Sequence, residues 1–277
     1  MLDSDETRGQ RAPDNDSLRF MSTLLAGAVV SLVFCAPGYP GGAGDAQAYL
    51  DAFATAAAAA AQWPAGSLSA TYDPTEAGGL EKLAKPEAAL AFVPFPFFVE
   101  HAAQLHLVPL LQANVTDVGA QQRWTLVAKK DRIRSPASLS GATVLSIAGY
   151  APHFVRQFAL AGWGLPKDVK IEQSAQVLSA LRRVAAGEPV AVLLDQTQMS
   201  ALASLPFAAD LQNVTQSAPL PTAILAIVDA RLPKARADSL RAALLAISPR
   251  GPQADALANL RLQGFVAPQL PAGAATP

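Results

Sequence analysis

Apolar residues in this chain come in short continuous runs, separated by amphipathic stretches and polar breaks. The run 29–37 (VVSLVFCAP) is β-branched and apolar without alternation, the pattern of a strand buried on both faces. Similar runs recur at 88–96 (AALAFVPFP), 188–198 (EPVAVLLDQTQ, stopping at Asp195) and 219–229 (PLPTAILAIVD). After the first run comes a Pro/Gly loop, 37–42. An alanine-rich helix is then predicted over 46–62, with Asp45 as its cap. A strand over 67–73 follows, then a loop entering a short helix (PTEAGGLEKL), the strand 88–96, a helix over 97–106 and a strand over 107–113. Strand–helix alternation of this kind predicts an α/β fold with parallel sheets.

The polar gap 114–122 interrupts the pattern, and a second unit follows. It reads as a strand over 123–132, a capped turn at 135–141, a strand over 142–150, a helix over 151–164 and a strand over 168–173. A helix over 174–187 then stops at Gly187, ahead of the strand that ends at Asp195. Beyond the run 219–229, helices are predicted over 231–247 and 252–263. The expected organisation is one lobe from 29–121 with 213–266, a second from 122–212, and a disordered tail over 267–277. Residues 1–28 are polar, then apolar from Ser22, and read as a disordered segment or an atypical export signal. Acidic residues precede Arg19, which is wrong for a positive flank. Ala26-Gly27-Ala28 and Ala46-Gln47-Ala48 resemble cleavage sites.

Composition narrows the function. Of 277 residues, 51% are hydrophobic and 16% charged, too apolar for a mostly disordered chain. Basic and acidic residues nearly cancel, 21 against 22, so no nucleic-acid partner is expected. One cysteine excludes an internal disulfide and a multi-thiolate metal site. No apolar run reaches the roughly 18 residues of a membrane span. His101 and His106 lie five apart and do not share a helix face, so no metal is expected. G-x-S-x-G, H-E-x-x-H, a P-loop and G-x-G-x-x-G are all absent, and no cofactor is expected.

Several segments, in order, resemble one family. These are APGYPGGAGDAQAYLDAFA (36–54), TEAGGLEKLAKPEAALAFVPFPFFVEH (75–101), residues 111–155 with the turn Ser-Pro-x-x-Leu-x-Gly, and AAGEPVAVLLDQTQ (185–198). Over 29–266 the chain resembles the type II periplasmic solute-binding proteins, phosphate/phosphonate-type, of ABC transporters. The resemblance implies two α/β lobes joined by two hinge strands, a small-molecule ligand held between them, an ABC permease as partner, a periplasmic location and a monomer. One departure stands out. Where the phosphonate binders carry a Ser/Thr-rich turn at a helix N-terminus, this chain reads Ile147-Ala148-Gly149-Tyr150-Ala151-Pro152, which puts a phosphonate dianion in doubt.

Ligands of open parallel sheets sit beyond the carboxyl ends of the strands. That rule selects Tyr39, Pro40 and Gly41; Thr75 and Glu76; Phe95 and Phe97; Gly149, Tyr150 and His153; and Asp195 and Gln196. Arg123 and Trp124 join them from the strand leaving the hinge, with Arg123 as the one evident cleft cation. Structural roles compete at each position: Phe95 and Phe97 as core, Glu76 as a first-turn carboxylate, Asp195 as the cap of a following helix. Cys35 is expected to fill core as an inert thiol. Three functions remain open: a solute binder, an enzyme on the same scaffold, and an interaction protein with a vestigial cleft. A solvent-filled cleft lined by Tyr39, Phe97, Tyr150 and Asp195 favours the first. A convergent His153–carboxylate pair favours the second, and a cleft filled by its own side chains favours the third.

Overall fold

The computed structural model describes residues 29–39 and 41–274. The expectations for 1–28, Pro40 and 275–277 lie outside them. The first sheet is built from β1 (Val30–Cys35), β2 (Leu68–Asp73), β3 (Ala88–Pro94), β4 (Leu107–Val115), β12 (Ala223–Val228) and β13 (Leu262–Val266), in the order β13-β4-β12-β3-β1-β2. The second has β6 (Thr125–Lys129), β7 (Thr143–Ser146), β8 (Lys170–Gln173), β9 (Val190–Leu194) and β10 (Leu211–Gln216), in the order β10-β6-β9-β7-β8. Between them, β5 (Gln121–Gln122) and β11 (Leu220–Pro221) pair antiparallel and carry the chain across twice.

Both sheets are mixed rather than mainly parallel. In the first, β1 runs parallel to β2 and β3, while β12 is antiparallel to β3 and β4. In the second, β7 runs parallel to β8 and β9, while β6 is antiparallel to β9 and β10. The reversal has a simple source. β6 and β12 are the strands that enter directly from the crossing, with no helix to turn them back.

Helices cover the sheets: α1 (Ala43–Ala60), α2 (Glu76–Ala84), α3 (Phe95–Leu105), α4 (Pro152–Phe154), α5 (Val177–Ala186), α6 (Gln196–Leu202), α7 (Lys234–Ala246) and α8 (Ala254–Asn259). The alanine-rich α1 starts earlier than expected, with Gly42 at its N-cap, so Asp45 falls within the first turn. Small side chains let it pack closely: Ala54, Ala57 and Ala58 are buried with Leu32, Phe34 and Phe265 in one cluster. α3 begins at Phe95, not 97, because Pro96 at the helix start fixes a helical φ. β7 stops at Ser146, not Tyr150. There the Ser146 carbonyl accepts from Gly149 N and Ser174 N, and its hydroxyl from Ala148 N, closing a turn. The helix expected over 151–164 is α4 followed by one π-helical turn, Val155–Ala159.

Two strands contradict the sequence expectation. β13 lies where the helix 252–263 was expected to continue: α8 ends at Asn259, and Arg261 adopts φ +54°, turning the chain into the edge of the first sheet. β10 was not expected at all, and it carries the second sheet past residue 212 to Gln216. Residues 267–274, expected to be disordered, are held: Gln269 N donates to Gln112 Oε1 at 3.0 Å, and Leu270 and Ala274 pack on the core.

The largest buried cluster joins the two sheets. Phe95, Phe97 and Phe98 from α3 meet Trp124, Leu126, Ile147, Phe154 and Val155 of the second half. Apolar burial of this kind contributes about 1.5–3 kcal/mol per large side chain.

Candidate functional site

One end of the space between the sheets is packed with rings. Phe95 makes edge contacts with Phe154 and Phe158 at 5.9 Å each, and Trp124 meets Phe154 at 5.2 Å. The sequence-predicted residues Phe95, Phe97 and Trp124 are fully buried here, in the core rather than on a cavity wall. The helix start is buried without a break from Phe95 to Val99, and Trp124 precedes a strand buried on both faces from Thr125 to Ala128. Glu100, on α3, accepts a hydrogen bond from the backbone N–H of His153 at 3.0 Å. The first free amide of the α4 stretch is thus taken by a carboxylate. The His153 ring is exposed and stands edge-on to Phe158. The carboxylate meets the backbone there, so no His153–carboxylate ring pair forms. Gly149 lies so close to Glu172 that a Cβ would overlap its backbone. Tyr150 packs on Phe97 at 6.5 Å. Burial, then the neighbouring Tyr39 phenol, holds the Tyr150 hydroxyl well above its ordinary pKa.

The other end is open. A cavity of about 270 Å³ lies beyond the carboxyl ends of β1, β2 and β3, where the strand-end rule locates ligands. Phe34, Tyr72 and Phe92 line it from the first sheet, and Asp195 and Thr197 from the start of α6 in the second half. Gln122 and Thr222 line it from the crossing. Of the sequence-predicted residues, Tyr39 and Asp195 reach this wall.

Tyr39 is delivered by the turn after β1. Its N–H donates to the Ala36 carbonyl at 3.2 Å, and Gly38 adopts φ +81°. A Cβ on Gly38 would press on Ile147 of the second half, so only glycine lets this turn come so close. The Tyr39 hydroxyl donates to Asp195 Oδ2 at 3.1 Å, joining the two halves over 156 residues of sequence.

Asp195 is both cap and wall. It heads α6 with a reciprocal capping box: Oδ1 accepts from Gln198 N at 2.8 Å, and Gln198 Oε1 accepts from Asp195 N at 3.1 Å. Only 2% of the residue is exposed. Burial pushes its carboxyl pKa up, against the lowering effect of the Gln198 amide and the Tyr39 phenol. Tyr39 is itself held well above its ordinary value by burial and by the Asp195 charge.

The remaining predicted residues lie elsewhere. Thr75 caps α2, its hydroxyl accepting from Gly78 N and donating to Asp73. Glu76, in the first turn of that helix, contacts His101 Nε2 at 2.9 Å. Gly41 is exposed, and Gln196 gives its carbonyl to Ser200. Arg123 does not reach the cavity; its guanidinium donates to the Ser217 carbonyl at 2.7 Å. Among the described residues, no Lys, Arg or His lines the cavity.

Sequence reasoning missed Phe34, Tyr72, Phe92, Gln122 and Thr222. The rule for strand ends was applied to the loops beyond the strands, whereas the last strand residues themselves form the wall. Cys35 is buried and also borders the cavity. Its thiol donates to the Thr75 carbonyl at 3.4 Å, and burial, aided by Asp73 and Glu76, pushes its pKa up to about 12. Gln122 is the least expected member. It is 5% exposed and lines the cavity from the crossing strand β5.

Two helix-covered mixed sheets, joined by a double crossing around a cavity, define the two-lobe periplasmic binding-protein fold. Residues 74–271 match the family "ABC transporter, phosphonate, periplasmic substrate-binding protein", and the chain belongs to it. Solved structures agree on the fold. XAC2383 from Xanthomonas citri, bound to ATP, has 16% identity, a TM-score of 0.63 and covers 88% of this chain and 92% of that one. A binding protein component of an ABC phosphonate transporter from Pseudomonas aeruginosa has 16% identity, a TM-score of 0.58 and coverage of 87% and 82%. PhnD1 from Prochlorococcus marinus, in complex with methylphosphonate, has 14% identity, a TM-score of 0.56 and coverage of 86% and 93%. No curated protein sequence matches the chain.

Proposed function

We propose that this protein captures a small solute in the cavity between its two sheets. It then passes the solute, chemically unchanged, to an ABC permease from the periplasm. One lobe comprises 29–120 and 223–266, the other 123–216, and the paired crossings β5 and β11 are the hinge. The protein acts as a monomer. The observation that carries this reading is the cavity itself, with walls from both halves and from the hinge, bridged by Tyr39 and Asp195. Hinge closure on a ligand uses such an arrangement. Family membership supports transport. The separation of Glu76, paired with His101 away from the cavity, from Asp195 supports binding over acid–base catalysis.

The test is thermal unfolding of the full chain against a solute panel, with X-ray scattering on any hit. A solute bound only by the folded state raises Tm by mass action, and closure reduces the radius of gyration. Mass spectrometry should recover that solute unaltered. A panel of anions, cations and uncharged solutes that produces no Tm shift would overturn the proposal.

A further inference from the structure

We infer that the cavity selects a small organic ammonium ion, a conclusion that rests on the capture reading above and specifies its ligand. Four observations converge. Asp195 contributes a buried carboxylate to the wall, and no basic side chain among the described residues lines the cavity. Its hydrogen bonds from Tyr39 and Gln198 occupy lone pairs but leave the charge uncompensated. A buried carboxylate without a counter-cation is unfavourable, and a bound cation corrects that.

The rest of the wall suits such a cation. Phe34, Tyr39, Tyr72 and Phe92 present aromatic rings. A cation within about 6 Å of ring faces is attracted by their electron-rich centres, more strongly as water is excluded. Gln122 adds a carboxamide side chain to the same wall. Its oxygen accepts from an ammonium N–H or from a hydroxyl on the ligand, and its NH₂ donates to a hydroxyl or ether oxygen. The volume, about 270 Å³, lies near the ~300 Å³ lower end for small-molecule sites and calls for a compact ligand.

A phosphonate fits poorly by the same criteria. It would meet the Asp195 carboxylate with no cation to balance it. At the opposite end, the backbone amide of His153 already holds Glu100.

The experiment is calorimetric titration of the full chain with choline, ethanolamine, the uncharged choline isostere 3,3-dimethylbutan-1-ol, and methylphosphonate. At least one ammonium ion is expected to bind roughly tenfold or more tightly than the isostere, and methylphosphonate is not expected to bind. Asp195→Asn, which retains a capping side chain, should remove most of that preference. Thr197→Lys, at an exposed wall position, should weaken the ammonium ion and spare the isostere even if Asp195→Asn fails to fold. Binding of the isostere or methylphosphonate, with both ammonium ions silent, overturns the ligand class and leaves capture standing. Silence from all four, together with a silent wider panel, overturns both.

Discussion

The two ends of the space between the sheets use the same residue type to opposite effect. Around Phe154, rings from both halves meet one another and fill the gap. Around Phe92, rings come from the first sheet alone, with Phe34 at 4.9 Å, and the second half offers Asp195 and Thr197 instead. A helix on each side supplies interlocking side chains at the packed end. At the open end, strand termini face the first turn of α6, whose cap Asp195 accepts from both its own helix and Tyr39. Aromatic content therefore does not distinguish a core from a binding wall. What faces the ring does.

The sharpest way to break this contrast is to truncate one ring at each end. Phe154→Ala should cost about 3–5 kcal/mol, read as a fall in urea midpoint or Tm, because it opens a void inside a closed cluster. Phe92→Ala should cost clearly less, about 1–2 kcal/mol, because one side of that ring already faces the cavity. Equal losses would mean that the two ends are packed alike.

A smaller effect is expected at the bridge. Tyr39→Phe removes the hydrogen bond to Asp195 and should cost about 0.5–1.5 kcal/mol. It should also raise the radius of gyration of the unliganded protein measured by scattering. An unchanged radius would show that the bridge does not hold the halves together.

The smallest effect is a pH dependence. The Asp195 carboxyl is raised by burial above the unfolded value of about 3.9, so the folded state binds the proton more tightly. Its contribution is fully present below about pH 3.9 and is lost as pH rises through the raised folded value. Asp195→Asn removes this slope. Denaturant midpoints at stepped pH should show the wild type losing stability relative to the variant as pH rises across that window. A constant difference across it would place the charge elsewhere.

Much of the fold was legible because burial on both faces writes itself as uninterrupted apolar sequence. β1, β3, β9 and β12 were readable for that reason. β10 (LQNVTQ) and β13 (LQGFV) were not, because each is an edge strand with one neighbour, and polar or glycine positions are tolerated there. The candidate site was half legible. Tyr39 and Asp195 follow from strand ends read in sequence. Gln122 carries no local signal: a glutamine in a polar gap looks like loop, and only pairing of Gln122 with Leu220 across the chain buries it. Arg123, the next residue, looked more informative and points away, to the Ser217 carbonyl.

The placement of Gln122 has a mechanical consequence. Its backbone belongs to the short ladder that joins the two halves, the hinge of the proposed capture, and its side chain borders the cavity. Cargo and axle therefore share one residue. On the proposed hinge, a solute against that carboxamide would load the bearing directly, with no lever arm between occupancy and rotation. A receiving permease that twists the ladder would loosen its grip on the cargo in the same stroke.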